Sequence, residues 1–272
     1  WQMGEIRKMK NIVISCDENY ILPTRVLLRS MSTSNDDIKV WFVFSRVSAA
    51  GIELLREDTQ GYGWAFEARK LDQEYEQLFE GFPVNLHFSK EMYYRLLLPW
   101  ILPECGRALY LDSDMIVRGD LTPMYQMELG DDLLAAVLDS WPAGRRQAVK
   151  RLELQDDYYN SGVQLLALDR IRKRYTVEAF LQKVQELQET YELEYPDQDL
   201  LNKLYDGEIR ELDERYNYAA TRYVVERLVP KYSLRKRVII AHFLAKRKPW
   251  HKNYFGYYRK EYRELLKEFR ED

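Results

Sequence analysis

The stretch LYLDSDMIV, residues 109–117, reads as a buried strand that is broken by two carboxylates and then resumes. A carboxylate among apolar neighbours is costly to desolvate, so Asp112 and Asp114 need a partner. In extended chain, residues i and i+2 face the same side. Both carboxylates can therefore converge on one cation. Hard cations such as Mg²⁺ and Mn²⁺ take oxygen ligands and keep positions open for phosphate oxygens. A bare Asp-x-Asp is common in solvated turns, but the apolar run on either side places this one where a core strand ends. In α/β sheets, ligands gather at that edge.

His242 lies in a second apolar run, VIIAHFL (238–244), and is one of three histidines. Alone it reads as an ordinary core or surface histidine; paired with Asp112 and Asp114 it would make an Asp₂His set, and imidazole shifts the preference from Mg²⁺ towards Mn²⁺. From Lys231 to Lys252 the chain has eight Lys or Arg and no acid. Such a run is a solvated basic face, a neutraliser of diphosphate or an attractor to an anionic membrane surface. Lys248, fixed by Pro249 and Trp250, is the one placed at a phosphate. CDENY (16–20) offers Asp17 and Asn19 to a base and ribose and Tyr20 to stack on the base, although a plain Asx turn would use the same residues. YYNSGVQLLALD (158–169) places Asn160 and Gly162 just before a buried strand. PDQDLLN (196–202) opens a helix with Asp197, Gln198 and Asp199, and acids at a helix start are also ordinary dipole chemistry.

Two nucleotide signatures are missing. There is no GxxxxGK[ST], and GYGWAF (61–66) lacks the third glycine of GxGxxG and precedes a strand. A nucleotide bound here would be held through a metal and basic side chains.

The elements that must position these residues alternate. NIVIS (11–15), IKVWFVF (38–44) and WAFEARKL (64–71) read as strands, with PTRVLLRSMSTS and a Ser48-capped segment to Glu57 as helices between them. A further helix starts near Ser89 and ends before Pro99. This order predicts an α/β sheet with parallel strands. RALYLDSD, MIVRG, DLLAAVLD (132–139), VQLLAL (163–168) and VIIAHFL continue as strands, with DLTPMYQM as turns. TVEAFLQKVQELQETY and PDQDLLNKLY are helical, and Tyr258, Tyr262, Leu265, Leu266 and Phe269 share a helix face in the tail. The chain of 272 residues, 46% hydrophobic, suffices for one large domain. Its net charge of −3 disfavours nucleic acid as a partner. No apolar run approaches the ~20 residues of a membrane span. Nothing apolar precedes NIVIS, so no signal peptide is expected. The start at Trp1 reads as a truncated chain or a remnant. Cys16 and Cys105 sit in no ligand-like cluster, which points to a reducing cytosol.

Taken in order, NIVISCDENYILP, HFSKEMYYRLLLPWILPE, ALYLDSDMIVRGDL, YYNSGVQLLALD, PDQDLLN and HFLAKRKPW resemble the motifs of the retaining family-eight glycosyltransferases, bacterial galactosyl- and glucosyltransferases related to glycogenin. The resemblance implies a GT-A fold: an α/β, Rossmann-like mixed sheet sandwiched by helices. It implies a domain over 1–252 with a helical appendage at 253–272. A UDP-hexose donor follows, with Mn²⁺ (or Mg²⁺) held by Asp112, Asp114 and His242. Asp17, Asn19 and Tyr20 would hold the uridine, with Ser15 and Cys16 helping through their backbone. Arg95, Asn160, Asp139, Asp197 and Gln198 would line the donor sugar, with Gln198 nearest the anomeric carbon. Ser113 belongs to the donor site, Lys248 to the diphosphate, and His87 to the acceptor side. The acceptor would be a glycan, glycolipid or glycoprotein, and the protein cytoplasmic or peripheral at the inner membrane face. One departure is Ala245, where the family has glycine for close approach to phosphate. The rival classes are a metal-dependent nucleotidyltransferase or UDP-sugar hydrolase, and a non-catalytic sugar-nucleotide-binding protein. The first pair usually opens with a Gly-rich loop and a basic residue, and CDENY has neither.

Overall fold

The computed structural model describes residues 9–71, 93–222, 237–244 and 246–269. His87, Ala245 and the predicted helix start near Ser89 lie outside them. The early alternation folds as a parallel unit: β1 (Lys10–Ser15), α1 (Ile21–Met31), β2 (Ile38–Phe44), α2 (Ala49–Gly61) and β3 (Ala65–Lys70), with β1 and β3 flanking β2. Alternation along each strand decides which layer a side chain enters. Val13, Trp41 and Val43 join one core, while Ile12, Ile14, Val40 and Phe42 join the other. Ser48 caps α2 as predicted, accepting from the Gly51 amide at 3.0 Å.

α3 (Tyr94–Ile101) runs through Pro99, beyond the stop predicted from sequence. A proline forfeits one helical hydrogen bond. Here Arg172 donates to the carbonyls of Pro99, Leu102 and Cys105, so the end of the helix keeps partners. β4 (Ala108–Leu111) pairs parallel to β1. β5 (Met115–Val117) leaves for a second sheet, and DLTPMYQM contains a short helix, α4 (Thr122–Tyr125). Then come β6 (Leu134–Leu138), α5 (Pro142–Leu152) and β7 (Tyr159–Leu166). After these follow α6 (Leu168–Arg174), α7 (Val177–Thr190), α8 (Pro196–Leu204), β8 (Ile209–Glu211), β9 (Tyr218–Ala219), β10 (Ile240–His242) and α9 (Arg259–Lys267).

The larger sheet has the order β3-β2-β1-β4-β7-β6-β8. It is mixed, because β7 runs antiparallel to both β4 and β6. The early strands keep the parallel order expected of their alternation, and the reversal of β7 makes the whole sheet the mixed one that the family resemblance implies. That reversal puts the amino end of β7 beside the carboxyl ends of β4 and β6, so Asn160–Gly162 lie inside the strand, next to Asp112. The smaller sheet, β5-β10-β9, sets His242 opposite Met115 on one side and Ala219 on the other. Tyr262 and Leu266 of α9 join Phe243 and Tyr254 in a third core, and Arg29 pairs with Glu268 at 2.6 Å. Among the described residues, no helix is long and apolar enough to cross a membrane.

Phe42 is fully buried at the middle of β2. Phe42→Ala removes a ring from a close-packed layer and is expected to cost about 3–5 kcal/mol, read as a lowered urea midpoint with an unchanged slope.

Candidate cation and sugar-nucleotide site

The site assembles where strands of both sheets end. β4 delivers Asp112, and the turn into β5 delivers Asp114. β10 delivers His242 through its antiparallel pairing with β5, and the Phe243 amide donates to the Asp114 carbonyl at 3.0 Å. One ligand atom each from Asp112, Asp114 and His242 lie within 4.8 Å of one another. His242 Nε2 is 3.3 Å from Asp114 Oδ1 and 3.7 Å from Asp112 Oδ2. The outer oxygens are anchored elsewhere. Asp112 Oδ1 accepts from Arg95 Nη2 at 2.8 Å and from the Tyr110 hydroxyl at 2.9 Å. Asp114 Oδ2 accepts from Lys248 Nζ at 2.5 Å, and the same ammonium donates to the Phe243 carbonyl at 2.7 Å. Burial alone would raise the pKa of Asp114. The Lys248 ammonium is the larger opposing force, and the carboxyl is held well below the usual carboxylate range.

Gly162 makes this convergence possible. A Cβ there would lie 2.4 Å from His242 Cε1 and 2.8 Å from Asp112 Oδ2. His242 Nδ1 is 2.9 Å from Asn217 Oδ1, an acceptor that keeps the proton on Nδ1 and leaves the Nε2 lone pair towards the carboxylates. Two carboxylate oxygens, one imidazole nitrogen and a cradle free of Cβ fit a divalent cation.

A second polar group adjoins the first. Arg95 Nη1 donates to the Ser161 carbonyl at 2.7 Å and pairs with Asp197 Oδ2 at 3.3 Å. Ser161 Oγ donates to Asp197 Oδ2 at 3.0 Å. Gln198 Oε1 accepts from Asn160 Nδ2 at 2.9 Å and from the Ser161 amide at 3.1 Å, while its Nε2 donates to Asp139 Oδ2 at 3.3 Å. Burial raises the pKa of Asp197 and Asp112 adds to that, with Arg95 opposing. Helix α8 thus turns Asp197 and Gln198 inward. Asp199 faces away: it is fully buried and accepts from Arg151, from the Tyr158 hydroxyl and from the amides of Glu194 and Tyr195. It is a helix-start cap and lies outside the site.

At the end of β1, Asp17 accepts from the Asn19 amide at 2.9 Å and caps a 3₁₀ turn, Glu18–Tyr20. The Asx turn and the proposed base-binding residues are therefore the same structure. Thr24 Oγ1 lies 3.3 Å from Cys16 Sγ and 2.9 Å from Ser113 Oγ, which ties the Asp-Ser-Asp turn to this end of β1. Tyr20 borders the cation site: its pKa is raised by burial first and then by Asp114, Asp17 and Asp112. The structure therefore gathers Arg95, Asp112, Ser113, Asp114, Asp139, Asn160, Asp197, Gln198, His242 and Lys248, with Ser15, Cys16, Asp17, Asn19 and Tyr20 at the adjoining strand end. Sequence reasoning missed Asn217, Tyr110 and Ser161. Tyr110 alone carried a local signal, being two residues before Asp112 on the same strand face.

Gly162→Ala is expected to lower Mn²⁺ affinity by about 10–100-fold, by displacing His242 and Asp112. Mn²⁺ titration by electron paramagnetic resonance checks it, with circular dichroism reporting the fold. Wild-type affinity in a folded variant would place the cation elsewhere.

Residues 11–254 match the model of Glycosyl transferase family 8. General stress protein A of Bacillus subtilis (strain 168) is 27% identical over 92% of this chain and 91% of its own length. A lipopolysaccharide 1,2-glucosyltransferase of Escherichia coli is 27% identical over 90% of this chain and 74% of its own. The crystal structure of galactosyltransferase LgtC with donor and acceptor sugar analogues superposes with a TM-score of 0.83 at 27% identity, over 95% of both chains. With a family match across nearly all of the sequence and a GT-A fold around this cluster, the chain belongs to glycosyl transferase family 8.

Proposed function

We propose that this protein transfers a hexose, glucose or galactose, from UDP to a hydroxyl of a glycan, glycolipid or glycoprotein, with Mn²⁺ bound and the anomeric configuration retained. The observation that carries the reading is the junction of the Asp112/Asp114/His242 cluster with the Asp139/Asn160/Asp197/Gln198 group at one sheet edge. The first suits a diphosphate and the second a sugar ring. Relatives named as a glucosyltransferase and a galactosyltransferase support a hexose. The cation, when bound, supplies Lewis-acid stabilisation of charge on the departing UDP.

The chain's own residues do the rest. Lys248 stands beside Asp114, within reach of a diphosphate held there. Asp17 and Asn19 take the ribose and base on the Cys16–Tyr20 turn. Arg95 fixes Asp112 and Asp197 together. Retention by double displacement needs a free nucleophile, and the candidates are engaged. Gln198 Oε1 accepts two hydrogen bonds. Asp197 Oδ2 holds Ser161 and Arg95. Asp139 accepts from the Trp141 amide and from Gln198. Same-face attack fits this arrangement better: the leaving phosphate takes the acceptor's proton, and the carboxylates and the Gln198 dipole stabilise an oxocarbenium-like transition state. The acceptor would approach through the polar cavity of about 610 Å³ that Asp139 and Asn217 help to line. A UDP-sugar donor would suit a cytoplasmic protein, and the exposed Lys246, Arg247 and Lys252 would then face an anionic membrane surface on its inner side.

UDP-glucose and UDP-galactose, each with Mn²⁺ or with chelator, test the reading through UDP release and NMR of the product. An α-linked product from one donor is expected, with turnover abolished by chelator. Asp114→Asn should cost at least about 10²-fold in kcat, the scale of losing a preorganised charge contact. Survival within tenfold would refute the metal assignment, and UMP with a sugar phosphate would make the protein a hydrolase.

A further inference from the structure

We propose that Asn217 is a positioning residue whose single amide sets both the tautomer of His242 and the orientation of Asn160, joining the cation cluster to the sugar-binding amides. This rests on the reading of the two clusters given above. Asn217, Asn160, Gln198 and His242 are all nearly excluded from solvent, where an unmatched donor or acceptor costs the full desolvation of that group. The polarity of the whole chain of hydrogen bonds therefore follows from its fixed ends.

Those ends are two backbone amides of β7, which can only donate. The Gly162 amide donates to Asn160 Oδ1 at 3.0 Å, and the Ser161 amide donates to Gln198 Oε1 at 3.1 Å. Both assign the same orientation to Asn160, with Oδ1 towards Gly162 and Nδ2 towards Gln198 at 2.9 Å. Asn217 lies 2.7 Å from Asn160 Oδ1, so the atom it presents must be the donor Nδ2. Its Oδ1 then faces His242 Nδ1 at 2.9 Å and requires a proton there. Reversing the Asn217 amide would set two acceptor oxygens against each other at Asn160. It would also place the His242 proton on Nε2, where no cation could be bound. Pairing of β9 with β10, His242 against Ala219, holds Asn217 at this spacing.

Two substitutions separate the halves of the role. Asn217→Ala removes both contacts, and Mn²⁺ affinity without nucleotide should fall about 10–100-fold, as for other partners of metal-binding histidines. Asn217→Asp keeps an acceptor for His242 Nδ1 but turns an acceptor towards Asn160. Its Mn²⁺ affinity should stay within threefold of wild type while UDP-hexose turnover falls more than tenfold. The ¹⁵N-histidine spectrum of the metal-free protein, with His242 assigned through His242→Gln, should show the Nδ1–H tautomer in wild type and Asn217→Asp. In Asn217→Ala it should move to the Nε2–H form. An Nε2–H tautomer in the wild type overturns the proposal by itself, even if Asn217→Ala fails to fold. So does a folded Asn217→Ala with unchanged Mn²⁺ affinity, or equal Mn²⁺ losses in both variants. A wild type with the stated tautomer and Mn²⁺ binding but no sugar transfer would refute the functional reading and leave the Asn217 assignment standing.

Discussion

The structure is organised around the desolvation of Asp112 and Asp114. Each charge removed from water costs several kcal/mol unless compensated, and every neighbouring element brings compensation. α3 supplies Arg95, β4 supplies Tyr110, and the segment before α9 supplies Lys248. Asp197 shares Arg95 with Asp112. Among the described residues, the buried Asp114 and Asp197 and the half-buried Asp112 thus stand against two basic side chains, Arg95 and Lys248, which leaves one negative charge in excess. A divalent cation would reverse that sign. Only then would the cluster attract an anion, so on the function proposed above the affinity for a nucleotide would depend on the cation.

Topology explains why such distant residues can meet. A parallel sheet would carry the amino end of β7 to the far edge. Because β7 is reversed, Asn160, Ser161 and Gly162 enter beside Asp112, and the Asp112 amide donates to the Gly162 carbonyl at 2.9 Å. The chain closes there so tightly that only glycine leaves room for His242. The strand therefore does two jobs with three residues: its amides orient Asn160 and Gln198, and its missing side chain admits the imidazole.

Much of this was legible in the sequence because it is written locally. Strands with long apolar runs and the Ser48 cap keep their meaning in isolation, whereas the acids of DSD and PDQD take theirs from the other segments read in order. Helix α5 was not legible: among its residues only Ala148 and Leu152 are buried, so PAGRRQAVKRL shows no apolar stripe. Gly162 was visible as a residue, but its reason is a contact with His242, far along the chain. Asn217 sits in an ordinary polar turn, DERYNY, and becomes consequential only when β9 meets β10. The residues that hold ligand groups tend to announce themselves by charge in an apolar run. Those that aim them are neutral amides, whose value lies in which end they present, and sequence does not encode that without the fold.

The tail helix has a similar non-local meaning. Its aromatic face suggested a packed appendage, and Tyr262 does pack on Phe243 at 5.3 Å between ring centres. Trp250 carries that packing to the site: its ring lies 5.6 Å from Tyr262 and 5.8 Å, edge-on, from Tyr20. Lys248 is two residues from Trp250 and immediately precedes the buried Pro249. A lysine side chain is long and loses much rotamer freedom when its head is fixed. Fixing its backbone between an aromatic core and the turn after β1 reduces the freedom left to lose. The contacts of α9 therefore bear on the Lys248–Asp114 pair, because they hold the root of Lys248 in place.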